Sequence, residues 1–409
     1  MHIFVFLLVL LSLVSNVSLQ NNFLIFFFKV YSSIAIKSFS EFDHLKSKRS
    51  IDTNVSNEWD TTIDYYIKYH PWTDVIERSL KDISDNSCFK FNKKTNPLTN
   101  TYGIIFDDGY DCKYDYNHRN PNPNKPNVIY VGNCYEPYGA IRKLILNVLG
   151  LRGEHKRYDR DQYINTYNYE RMSEQGRVEF QYDDNKTTET YGFGYDFSSI
   201  THAGVNDYKK GSALSFDAQK YSEYYRDTMG QRLRPSFSDY KTINKRYCES
   251  ACPEKIGCQF NGYQNPKKCD ECKCPSGFEG KDCGLLARSS HDCGNVRFTA
   301  TPTEQTLEAR GSKSCWYKIV ASQGKRVMIK LGVIIITEQK SPCLEEHEGV
   351  QIKYRTDRGP AGLCICKSNG VALTTNYNDY TIQSEDNTVF IHFKGILQDS
   401  RAVLYYREI

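Results

Sequence analysis

The chain has little net charge for its size. Its 53 Lys and Arg stand against 49 Asp and Glu, leaving +4 over 409 residues. That balance does not call for nucleic acid, and no basic stripe with interleaved aromatics is found. No unbroken apolar run reaches the ~20 residues that a membrane span needs. Ile3 to Val14 and Phe23 to Val30 are apolar, but Gln20, Asn21 and Asn22 separate them and Lys29 sits inside the second. A GxSxG elbow, a P-loop and a Cys/His nucleophile pair are also missing, which removes three large enzyme classes. The cysteine-rich stretch after Cys248 is followed by glycine turns and not by paired histidines. That argues against a cytosolic metal protein.

What is present is cysteine, 15 in all, most of it from Cys248 onward. Such crowding fits an oxidising compartment and a disulfide framework, with one thiol left over because the count is odd. The first apolar run has the length of a secretory signal, with small residues following at Ser15 to Ser18, so residues 1–20 read as a cleaved signal and the protein as secreted. Lys46-Ser-Lys48-Arg49 is a dibasic run in a polar stretch. It makes 21–49 a propeptide or linker cut after Arg49. In a secreted chain Asn54 and Asn185 are glycosylation acceptors.

Residues 50–248 read as one mixed domain. Thr73 to Ser84 has helical spacing after a Thr cap, and Ile141 to Leu151 is a second helix with Ile141, Leu144, Ile145, Val148 and Leu149 on its apolar side. Tyr102 to Phe106 and Val128 to Val131 are strand-like. Residues 249–284 hold Cys252-x5-Cys258-x10-Cys269-x2-Cys272-x-Cys274 and close with Pro-Ser-Gly-Phe-Glu-Gly-Lys-Asp-Cys283. So short a module buries too little apolar area to fold without disulfides. Residues 285–409 alternate apolar and polar positions in the manner of a β-sandwich.

Three resemblances attach to these segments. Gly139 to Asp161, GAIRKLILNVLGLRGEHKRYDRD, resembles the active-site stretch of the astacin zinc endopeptidases, GxxxHExxHxxGFxHExxRxDRD. The ending C-P-x-G-F-x-G-x-x-C resembles an EGF-like domain, and Cys315-Trp316-Tyr317-Lys318-Ile319 with the final strands resembles a CUB domain. The order is that of a nematode-type astacin. The implied fold is α+β: an astacin-like, metzincin-type domain, then a disulfide-rich EGF-like module and a CUB β-sandwich. The resemblance implies the bridges Cys88–Cys248, Cys112–Cys134, Cys252–Cys269, Cys258–Cys272, Cys274–Cys283 and Cys293–Cys315. Cys343 takes Cys364 or Cys366, with Cys343–Cys366 adopted and the other cysteine unpaired.

The chemistry departs from that frame. Lys143, Asn147 and Gly153 stand at the three histidine-ligand positions, and Leu144 at that of the glutamate base. An ammonium does not bind Zn²⁺, an Asn amide is a poor substitute for imidazole, and glycine has no side chain. In the family's S-x-M-H-Y turn this chain has Ser199-Ile200-Thr201-His202-Ala203, so Thr201 replaces the methionine and Ala203 the tyrosine. Loss of the base lowers rate ~10²–10⁴-fold, and loss of the metal removes the activated water. His70, His118, His155 and His202 read as unrelated structural or surface histidines. Glu154, Arg157, Asp159, Arg160 and Asp161 read as structural ion pairs. Glu345, Glu346 and Glu348 read as an exposed acidic loop, with calcium the competing reading.

The expectation is therefore a secreted, inactive homologue that binds extracellular proteins or peptides, with no metal or other cofactor of its own. In it Lys143 stays solvated in an open groove or meets an anion such as a bound chain's carboxylate, the competing reading being that it snorkels to bulk water. The competing expectations are an active zinc endopeptidase and an adhesion protein in which only the last two modules matter.

Overall fold

In a computed structural model the described residues are 51–53, 58–68, 70–115, 121–134, 137–166, 169–183, 186, 188–368 and 381–409. The signal, the propeptide with Arg49, both acceptor asparagines Asn54 and Asn185, and His118 lie outside them.

Five strands build the first sheet: β1 (Thr62–Ile67), β2 (Lys90–Lys93), β3 (Ile104–Asp107), β4 (Lys113–Tyr114) and β5 (Asn127–Tyr130), in the order β2-β1-β3-β5-β4. All neighbours are parallel except β4 on β5. Ile63, Tyr65 and Ile67 alternate inward along β1, as period-two burial requires. Helix α1 (Thr73–Asp85) lays Val75, Ile76, Leu80 and Ile83 on this core. Its N-cap is Trp72 and no side chain caps it, so Thr73 is the first helical residue and not the cap expected.

Helix α2 (Pro137–Val148) starts four residues before the expected position and stops three short of it. Its end is set by Gly150, whose φ of +92° suits glycine. Leu151 N–H returns to Leu146 O at 2.9 Å. Two distant side chains satisfy the carbonyls left over there: Trp59 Nε1 donates to Val148 O at 2.9 Å and Tyr247 Oη to Leu149 O at 2.8 Å. Helix α3 (Phe237–Tyr247) opens with a capping box between Ser236 and Asp239.

The C-terminal part is two facing sheets. One is β6 (Arg297–Thr299), β8 (Ser314–Val320), β13 (Thr388–Lys394), β10 (Gly349–Lys353) and β11 (Leu363–Ile365), in the order β6-β8-β13-β10-β11. The other is β7 (Gln305–Arg310), β14 (Arg401–Glu408), β9 (Val327–Ile335) and β12 (Thr381–Gln383), in the order β7-β14-β9-β12. Tyr317, Ile319, Ile329, Leu331, Ile391 and Leu404 fill the space between them. One apolar cluster joins this sandwich to the second half of the preceding block, through Phe197, Tyr225 and Met229.

Between them, Tyr263–Gln264 pairs with Cys272–Lys273 and Phe278–Glu279 with Leu285–Leu286. Phe260 stacks on Phe278 at 4.3 Å, and both meet Phe390 of β13 edge-on. A Cβ at Gly277 would lie 2.6 Å from the Trp316 ring, so only glycine allows this approach.

Seven disulfides join Cys88–Cys248, Cys112–Cys134, Cys252–Cys269, Cys258–Cys272, Cys274–Cys283, Cys293–Cys315 and Cys343–Cys366. Cys364 is the free thiol, and it is buried. No helix among the described residues is long and apolar enough to cross a membrane.

Candidate functional site: the helix and turn around Lys143

One helical turn separates Lys143 and Asn147 on α2, so both serve one face. Both are half-buried. Leu144 turns the other way and joins the core. No salt bridge reaches Lys143 from the described residues. Arg232, its nearest cationic influence, is taken up by Asp207 at 2.8 Å, and Glu179 by Lys156 at 3.2 Å. Burial, and then Arg232, push the Lys143 pKa down to about 8 against the pull of Asp207, Glu179 and Asp239. The ammonium is thus only partly solvated, since the side chain is half-buried.

After α2 the chain reaches Gly153, whose φ of −59° and ψ of 125° any residue adopts. The space there is taken. A Cβ on residue 153 would come 2.7 Å from Cε1 of His155. The His155 ring is buried, and Nδ1 accepts the Ala203 N–H at 3.1 Å. Its proton therefore sits on Nε2, which has no partner. His155 thus fills the gap between two altered positions, Gly153 and Ala203.

His202 lies against it, with ring centroids 5.9 Å apart. Its Nδ1 donates to Ala203 O at 2.7 Å and its Nε2 accepts from Tyr195 Oη at 2.7 Å. Both rings are held neutral. Burial, then His202 and nearby cations, drive His155 well below its ordinary pKa, and burial lowers that of His202. These two histidines are therefore one buried cluster, not the unrelated pair read from sequence. Nothing in the spacing of 155 and 202 signals this, because the contact depends on the tertiary turn between them.

That turn is held by Asp239. Its carboxylate accepts Ser199 Oγ at 2.6 Å, Ile200 N at 2.9 Å and Ser236 N at 2.8 Å. Thr201, in the methionine position, donates to Arg152 O at 2.9 Å. Behind it the expected ion pairs form a buried network. Arg157 is fully buried and reaches Asp159 at 2.7 and 2.8 Å, Glu154 at 3.0 Å and Phe193 O at 3.3 Å. Glu154 also accepts Asp196 N at 2.7 Å.

The side chains at this position do not fit a zinc ion. Lys143 is a cation, Gly153 offers nothing, and the lone pairs of His155 Nδ1 and His202 Nε2 are spent on Ala203 N–H and Tyr195 Oη. Among the described residues no three His, Cys, Asp or Glu side chains are grouped to hold a metal. The acidic residues of the sandwich are also engaged. Glu345 and Glu346 bind Arg234, and Glu348 is buried against Thr337, Glu338 N–H and Ser400.

The first block is a five-stranded sheet beside two helices, with a helix–glycine turn leading to an acidic-arginine network. Residues 51–248 match the model of the astacin peptidase family. The chain is 28% identical over 367 residues to zinc metalloproteinase nas-34 of Caenorhabditis elegans, covering 89% of this chain and 58% of that protein. It is 34% identical over 251 residues to zinc metalloproteinase nas-23 of the same organism, covering 58% and 45%. Among solved structures it is similar to high choriolytic enzyme 1, a hatching enzyme zinc-protease of the medaka Oryzias latipes. That match has 21% identity, 48% and 98% coverage, and a TM-score of 0.42. Residues 51–248 thus form an astacin-family domain, which a small three-disulfide module and a two-sheet β-sandwich follow. The chain spans about half the length of the curated relatives it matches.

Proposed function

We propose that this protein is a secreted astacin homologue without protease activity, which uses the scaffold to hold an extracellular protein or peptide segment uncut. The observation that supports this reading is the set of side chains at the reacting positions. Lys143, Asn147 and Gly153 supply no imidazole, Leu144 no carboxylate and Ala203 no phenol. A catalytic zinc centre needs three protein ligands and an open water position. Here a positive charge stands where the ion would. Removal of ligands and base together takes away both the activated water and its proton acceptor. The turn, the Asp239 anchor and the Arg157 network are kept, so the scaffold is maintained apart from its chemistry. The disulfides support an oxidising, extracellular setting.

The test uses secreted protein cut after Arg49. Elemental analysis is expected to find no stoichiometric zinc, and cleavage of an unfolded protein substrate should sit at background. Lys143→His with Asn147→His is expected to stay inactive, because Leu144 supplies no base and Gly153 no third ligand. About one zinc per chain, with cleavage abolished by a chelator, would overturn the proposal in favour of an active endopeptidase.

A further inference from the structure

A second site lies away from α2, where the protease-type block meets the sandwich. The two bound a groove of about 1280 Å³. One wall is the outer face of the sheet β9-β12-β14, the other the segment 219–226. On the sheet, Arg407 sits opposite Met328, and Lys330 opposite Tyr405 and Thr381 one row further on. Arg407 and Lys330 are thus diagonal neighbours on adjacent strands, roughly 7–8 Å apart.

The groove is strongly charged in a chain that is not. Six Lys or Arg residues line it and only two acids, Glu223 and Glu385, so it carries the equivalent of the whole chain's +4. Three of the cations are engaged, Lys330 lying over the Tyr405 ring at 5.6 Å. Arg226 is bound to Asp217, and Arg355 donates to Tyr195 O at 2.5 Å and faces Glu385 at 3.8 Å. Lys220, Arg326 and Arg407 are exposed, and no carboxylate among the described residues pairs with them.

The rest of the lining is hydroxyl, amide and tyrosine ring, with Phe197 and Met328 as its apolar members. The deepest hydroxyls, Tyr225 and Tyr354, bond each other at 3.0 Å. The edge strand β12 does not invite an extended peptide, because its Gln383 N–H is already taken by Tyr221 Oη at 3.3 Å. β-Strand addition needs those edge groups free. A ligand here is recognised by side chains alone: guanidinium and ammonium groups for anionic oxygens, and hydroxyls, amides and aromatic faces for sugar rings.

We infer that this groove binds a sulfated polysaccharide, anchored by Lys220, Arg326 and Arg407. The inference is independent of the state of the metal position.

The probe is heparin. The full secreted chain is applied to immobilised heparin and eluted with salt, and its affinity for soluble heparin is measured. Desulfated heparin and poly-glutamate serve as comparison ligands. Retention should be salt-sensitive and lost on desulfation. The triple variant Lys220→Gln/Arg326→Gln/Arg407→Gln should bind at least roughly tenfold more weakly, since three charge-assisted contacts are removed. Its unfolding should be unchanged, because exposed charges contribute little to stability. A control with the same charge loss elsewhere, Lys90→Gln/Lys210→Gln/Arg297→Gln, should bind like the parent. Equal loss in both triples, or no loss in the first, would refute the site. Poly-glutamate binding as tightly as heparin would replace the polysaccharide by an acidic peptide.

Discussion

Replacing Lys143 with methionine is expected to make the protein more stable at neutral pH. Methionine is also long and unbranched, so the change removes the charge and little of the packing. A fall in pKa from 10.5 to about 8 corresponds to roughly 3 kcal/mol of unfavourable charging. The side chain is only half-buried, so solvent screening reduces this to about 1–2 kcal/mol. The sign follows from proton binding. The unfolded lysine keeps its proton up to 10.5, while the folded one loses it near 8, so the unfolded state binds more protons in between. Stability of the parent therefore rises with pH across that window, and below it the full penalty is present. For a domain of this size the gain amounts to a few degrees, at about 2–4 °C per kcal/mol. Thermal unfolding of parent and Lys143→Met would be compared at about pH 7 and about pH 9.5, on either side of the folded pKa. The variant should lead at the lower pH and the gap should narrow at the higher. A gap of the same size at both, or a variant less stable at neutral pH, would refute the reasoning.

Two further outcomes concern the scaffold. Arg157→Met leaves Glu154 and Asp159 buried without their cation, and should destabilise the protein by about 3–5 kcal/mol in thermal unfolding; Arg157→Lys should not rescue it, because lysine cannot make the two-pronged contact with Asp159. A loss under about 1 kcal/mol, on the order of a surface pair, would show that the network is not buried as described. The Cys364 thiol is buried, and its pKa is pushed up to about 12 by that burial and by Glu345, so iodoacetamide at about pH 8 should leave the native protein unlabelled and add one label per chain in denaturant. Labelling of the folded protein would contradict the burial.

Much of the architecture was readable because it is carried by local signals. The apolar spacing of Val75, Ile76, Leu80 and Ile83 marks α1, and the spacing from Cys252 to Cys283 marks the small module. The residues on α2 and in the turn take their positions from the resemblance alone. Helix limits were not readable. The start of α2 at Pro137 and its stop before Gly150 depend on the turn, with Trp59 and Tyr247 closing it from far along the chain. The His155–His202 cluster was invisible for the same reason, as was the consumption of Arg232 by Asp207. The groove needed both walls to be in place, and they come from residues 162–226 and 326–407. No window of sequence contains them together.

The aromatic seam between the small module and β13, with Gly277 seated on Trp316, bears on what a partner gains by touching two modules. Tandem extracellular modules on flexible linkers act as independent heads, and a ligand bridging them must freeze their relative rotation on binding. Here that freedom is already spent in folding. Lys241 Nζ donates to Asn261 O and Arg358 N–H to Asn261 Oδ1, at 2.9 Å each, which ties the small module to both neighbours at one residue. A ligand spanning the block and the sandwich meets a ruler of fixed length. It is selected by reach as well as by chemistry, and a chain one unit too short gains nothing from its second end.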